Sequence, residues 1–184
     1  IGNFNYQHPV MSKHLWLYEG VTEYFAQYIK YKGGVYTEQE FINVMQEKFR
    51  FGASFPIQSM AFTEMSARVL EPKYQAYYTQ VYERGAALAF LLDAEIQRLT
   101  ERKKTLLDVV LQLHAQYGPM RSFAEDSCFN MFTNAVHPDL KEFFETYING
   151  KTPWQPNKQL QALNLVFYDT LRVYSKLSPL QKEQ

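Results

Sequence analysis

From Tyr74 to Leu99 the sequence reads as one long helix that is apolar nearly all the way round. Its centre, Gly85-Ala86-Ala87-Leu88-Ala89-Phe90-Leu91-Leu92, is accommodated only where it is covered on most sides, and its small residues admit a close neighbour. The greasy stretch from Ala86 to Leu92 falls far short of the roughly 18 apolar residues of a membrane span, so it reads as a helix interior. A chain of 184 residues supplies the cover: one domain of that size buries a full core without disulfides or a structural metal. The 14 Phe and 14 Tyr give it ring area to spend on a core or a groove.

The flanking segments predict more helices. Leu15, Trp16, Tyr18, Phe25, Tyr28 and Ile29 recur at helical spacing between His14 and Lys32, ahead of Gly33-Gly34. Thr37-Glu38-Gln39-Glu40 has the form of a capping box, opening a helix to about Arg50. Phe51 to Lys73 has poor periodicity and reads as a long aromatic loop with a helical turn near Thr63 to Val69. Capping-box patterns return at Thr105 to Asp108, opening a helix to Tyr117, and at Ser122 to Glu125, opening one to about Val136. Pro138 fits a first helical position, and Asn149-Gly150 a left-handed stop. Beyond it the Pro-bearing segment from Lys151 to Asn157 is extended, a short helix runs to Leu163, and Val166-Phe167-Tyr168 reads as a strand leading toward another domain. The fold expected is all-α with five to seven helices, residues 1–150 forming the helical unit and 151–184 a linker with a short helix.

Charge removes several functions. Lys plus Arg and Asp plus Glu number 19 each, so the basic footprint of a nucleic-acid binder and a polybasic membrane patch are both missing. Cys128 is the single cysteine and reads as a small buried hydrophobe. The histidines are His8, His14, His114 and His137, none spaced as a metal pair. His8 and His14 read as residues of a Pro turn and of a first helical turn, in preference to ligands alongside Glu19.

Two segments can carry chemistry. In Leu15-Trp16-Leu17-Tyr18-Glu19-Gly20-Val21-Thr22-Glu23-Tyr24, Glu19 and Glu23 lie one turn apart on one face, so one could ligate a metal while the other orients a neighbouring ligand. The plainer reading is a carboxylate that suits the positive end of a helix dipole. In Tyr82-Glu83-Arg84-Gly85-Ala86-Ala87-Leu88, Tyr82 is a phenol at the edge of the core, able to donate to a developing oxyanion. The plainer reading there is an ordinary half-buried Tyr.

Together these segments resemble the gluzincin zinc aminopeptidases, and the rest of the chain looks most like their glycyl aminopeptidase family, over about residues 11 to 165. Leu15 to Gly20, with Thr22 and Tyr24, is similar to the family's segment carrying the third zinc ligand. Tyr82 to Asp93 is similar to its helix bearing the tyrosine that stabilises the tetrahedral intermediate. The segments Thr105 to Val110 and Asp139 to Gly150 match later structural helices. The resemblance implies the helical half of a thermolysin-like catalytic domain, with Glu19 as a zinc ligand and Tyr82 as the oxyanion donor; Glu23 as a second carboxylate behind the metal is read from helix geometry alone.

The chain departs from the family in holding no H-E-x-x-H, the pair of zinc-binding His with its general base. The expectation is therefore a fragment of a zinc aminopeptidase, inactive alone and binding no zinc alone, whose missing helix precedes Ile1. Its expected partners are peptide substrate and the N-terminal part of the same protein, and an exposed apolar face would favour self-association. The aromatic loop, with Phe55 and Phe62, is expected to face the cleft. By resemblance the compartment is bacterial cytoplasm or periplasm. The rival expectation is a non-catalytic helical module that binds peptide or a partner domain.

Overall fold

The computed structural model describes residues 5–118, 121–168 and 170–173. Its centre is the expected apolar helix, here α5 (Gln80–Leu99), in which Ala86 to Ile96 is buried without interruption. Around it lie α1 (Val21–Lys32), α2 (Glu38–Ala53), α6 (Leu106–Tyr117), α8 (Leu140–Tyr147) and α9 (Asn157–Leu160). α7 (Cys128–Ala135) packs on α6 and α8. The all-α expectation holds, with one addition: β1 (Leu165–Tyr168) and β2 (Thr170–Val173) form an antiparallel hairpin in which Leu165 faces Val173.

More helical segments are present than expected because the segment read as a loop is itself partly helical. α2 runs on to Ala53, and α3 (Phe62–Ala67) and α4 (Pro72–Gln75) follow as short pieces. Two of its aromatic residues point inward: Phe55 and Phe62 are buried against each other at 5.4 Å, which corrects the expectation that they face a cleft, while Phe51 is exposed. The irregular spacing that hid their burial reflects a chain that folds over α5 in short turns.

Local chemistry accounts for the boundaries. The capping boxes at Thr37 and Thr105 both form, with Glu40 and Asp108 closing back on the cap backbone. The one at Ser122 does not, because the Glu125 carboxylate is engaged by the Ser12 hydroxyl and the Lys13 backbone N–H. That segment starts with a 3-10 turn, Glu125–Ser127, before α7. Gly118 ends α6 at φ 56°. Gly150 is not a left-handed stop; a Cβ there would collide with the Glu145 and Thr146 carbonyls, so its role is close approach.

Trp16 is fully buried and anchors an aromatic cluster with Phe129, Phe132 and Phe144, at centroid distances of 6.1 to 6.5 Å. Among the described residues no helix is long and apolar enough to cross a membrane.

Candidate active site

The segment that carries Glu19 opens as a π-helical turn, Trp16–Gly20, in which the Val21 N–H reaches back to the Trp16 carbonyl. Such one-turn widenings recur at functional sites. Here the turn sets Trp16 in the core and leaves Tyr18 outward, with Glu19 part-exposed between them.

Gly20 then meets Gly85 of α5 backbone to backbone. A Cβ on Gly20 would come within 2.5 Å of the Gly85 Cα, and a Cβ on Gly85 within 2.8 Å of the Gly20 Cα. Only two glycines permit this crossing. Glu19 directly precedes Gly20, and Tyr82 stands one turn before Gly85 on α5. The crossing therefore brings the two expected site residues together from distant parts of the chain: the Glu19 charge and a hydrogen-bonding contact with it both act on the Tyr82 phenol. That phenol is held well above its ordinary range. Its hydrogen bond with Tyr78, at 3.5 Å, contributes most, followed by partial burial and the negative charge of Glu19. It thus stays protonated at any physiological pH.

Glu23, the expected partner of Glu19, is engaged elsewhere. Its carboxylate lies 2.7 Å from Lys48 Nζ and accepts from Gln27 at 2.9 Å. Lys48 also reaches Glu83 at 3.0 Å, so a single ammonium from α2 joins α1 to α5 beside Tyr82. Burial alone would raise the Glu23 pKa, but the bonds from Lys48 and Gln27 outweigh it and hold the carboxyl below its usual range. Lys48 mirrors this: burial disfavours its charge, and the two carboxylates more than restore it.

Sequence reasoning missed Lys48, although a signal was present. Phe41, Met45, Lys48 and Gly52 share one stripe of α2, and a lysine on a buried stripe needs acidic partners. Arg84, next to Gly85, was missed in the same way. It is 1% exposed, donates to the Gly52 carbonyl at 3.0 Å and lies over the rings of Trp154, Phe55 and Phe62 at 4.3, 5.3 and 5.8 Å. Burial brings its pKa down to about 10. Asp93 is a third buried charge, accepting from the Tyr24 hydroxyl at 2.7 Å and the Leu106 N–H at 2.6 Å, which ties α1 and the start of α6 to α5.

The remaining candidates are structural. His14 is buried; Trp16 Nε1 donates to its Nδ1 at 3.2 Å, so Nε2 carries the proton and donates to the Glu125 carbonyl at 3.0 Å. Both ring nitrogens are occupied, and burial holds the ring toward its neutral form. Cys128 is buried, and burial pushes its thiol up to about 12. Among the described residues no group of three or more His, Cys, Asp or Glu could hold a metal ion. Glu19 offers one carboxylate, and these residues do not by themselves fit a zinc ion, which takes three or four protein ligands.

No curated protein matches the chain. The fold is similar to that of an aminopeptidase N family protein from Idiomarina loihiensis, with a TM-score of 0.78 at 22% identity over 89% of this chain. The chain spans 29% of that protein's length. The M61 glycyl aminopeptidase family matches residues 1–88. The resemblance to the glycyl aminopeptidases read from the sequence is borne out as a family match over residues 1–88, a range that contains the Gly20–Gly85 crossing and Glu19, Glu23 and Tyr82.

Proposed function

We propose that the chain is the helical part of a zinc aminopeptidase of the gluzincin kind. In it Glu19 contributes one carboxylate to a zinc ion whose other ligands lie outside the described residues, and Tyr82 donates a hydrogen bond to the carbonyl oxygen under attack. The observation that carries this reading is the convergence of Glu19 and Tyr82 across the Gly20–Gly85 crossing. A phenol that holds its proton is suited to meet oxygen as charge develops on it. Glu23 acts at one remove: with Lys48 and Glu83 it fixes the Glu19-bearing segment against the Tyr82-bearing helix. The substrates proposed are peptides with a small N-terminal residue, bound in a cleft completed by the remainder of the protein.

The test is Tyr82→Phe in the full-length gene product, assayed on a glycyl peptide. Loss of one oxyanion donor lowers kcat by about 100- to 1,000-fold. KM and metal content should stay near those of the wild type. A variant with undiminished kcat would refute the assignment.

A further inference from the structure

Between α1, α2 and the second half of α5 lies a cavity of about 170 Å³. Tyr24, Tyr28 and Tyr31 fall at helical spacing on one stripe of α1 and line it together with Phe41 of α2. The rings form two stacked pairs, Tyr24 with Tyr28 at 5.7 Å and Tyr31 with Phe41 at 5.2 Å, and the pairs meet edge to face at 6.1 Å between Tyr28 and Phe41. Two carboxylates share this wall, Glu38 exposed at the rim and Asp93 buried, and among the described residues no Lys, Arg or His lines it. The Asp93 oxygens are held by donors: the Tyr24 hydroxyl, the Leu106 N–H and the Gln97 amide. Three such donors suit an ionised carboxylate. The charge that acts on it from nearby is that of Asp108, another carboxylate.

We propose that this cavity is a binding site for a small organic cation, and that it selects a quaternary ammonium group over a primary one. Tyr and Phe rings attract a cation through their faces, and a buried carboxylate without a counter-ion adds to that attraction. The preference for a quaternary group follows from hydrogen bonding. A primary ammonium brings three N–H donors that need acceptors, whereas Asp93 has three donors on its roughly four lone-pair sites already. A quaternary ammonium carries the charge and asks for no acceptor. The size agrees: the cavity exceeds the volume of a few waters, at about 30 Å³ each, and falls short of the roughly 300 Å³ where drug-sized pockets begin, so it suits a headgroup. The site is distinct from the proposed peptidase centre, because Asp93 lies about three turns of α5, roughly 16 Å, beyond Tyr82. The inference therefore needs neither the zinc nor the role given to Tyr82.

The experiment titrates this chain with three probes and follows the NMR signals of Tyr28, Tyr31 and Leu165. The probes are choline, its neutral isostere 3,3-dimethyl-1-butanol, in which carbon replaces the charged nitrogen, and ethanolamine, its primary-ammonium counterpart. Choline is expected to give saturable shifts with a Kd of about 1 mM, and the isostere to bind about 10- to 30-fold more weakly. Ethanolamine should also bind more weakly than choline. No saturation by choline up to about 30 mM, or equal affinity for choline and the isostere, would overturn the site as one for cations. Tighter binding of ethanolamine would overturn the quaternary preference. Tyr31→Leu removes one half-buried ring and leaves the donors on Asp93 in place. It is expected to weaken choline binding by about 3- to 10-fold, and unaltered binding would show that the rings do not hold the cation. The comparison of choline with its isostere uses the unaltered chain, so it decides the matter even where Tyr31→Leu folds poorly.

Discussion

Gly20 and Gly85 touch through their backbones, and a Cβ on either would fall within 2.8 Å of the other's Cα. The contact joins the turn that carries Glu19 to the helix that carries Tyr82, so the relation between these two side chains is set by two residues with no side chain.

Gly85→Ala should accordingly be costly well beyond an ordinary helix substitution, in which Ala is the better helix former. The added methyl meets backbone and not the end of a flexible side chain. A loss of about 1–3 kcal/mol is expected in denaturant unfolding. Unchanged stability would mean that the two segments are not in contact.

Lys48→Met keeps the stem of the side chain and removes the charge shared by Glu23 and Glu83. The two carboxylates then face each other without a cation, and a loss of about 1–3 kcal/mol is expected, less than for a fully buried pair. The pH dependence follows from Glu23, whose pKa is lower in the folded chain than in the unfolded one. Its contribution is complete above the unfolded carboxyl pKa and disappears as pH falls through the depressed native value. Wild type and Glu23→Gln should therefore differ at neutral pH and converge in acid; a gap that persists there would exclude this pairing.

Asp93→Ala removes the acceptor shared by the Tyr24 hydroxyl and the Leu106 N–H, both in the interior. About 3 kcal/mol should be lost, since two buried donors are left unsatisfied. Hydrogen exchange should show the first turn of α6 loosened ahead of the rest. Uniform loosening would indicate that Asp93 does not anchor that turn.

Cys128 should resist alkylation in the folded chain and react on unfolding, because burial both shields the thiol and disfavours the thiolate. Rapid native labelling at neutral pH would reopen a thiol chemistry.

The sequence already displayed the elements whose signals are local. The apolar run from Ala86 to Leu92 and the boxes at Thr37 and Thr105 survive in the fold, and Glu19 lies near enough to Tyr82 for its charge to act on the phenol. What could not be read depends on partners far along the chain. Glu125 failed to cap its own helix because Ser12 and Lys13 hold its carboxylate. Glu23 is paired with Lys48, a residue on another helix, which the pattern of its own helix does not display. Phe55 and Phe62 followed no helical period because short turns carry them under Arg84.

The most direct measurement is the zinc content of the full-length gene product, purified with Glu19 intact and as Glu19→Gln. The account predicts about one equivalent in the wild type and a content well below it in the variant, as for a site that has lost one of its few protein ligands. Tyr82→Phe should retain the metal. Equal zinc in the wild type and Glu19→Gln would contradict the central claim that this helical chain supplies a zinc ligand at the Gly20–Gly85 crossing.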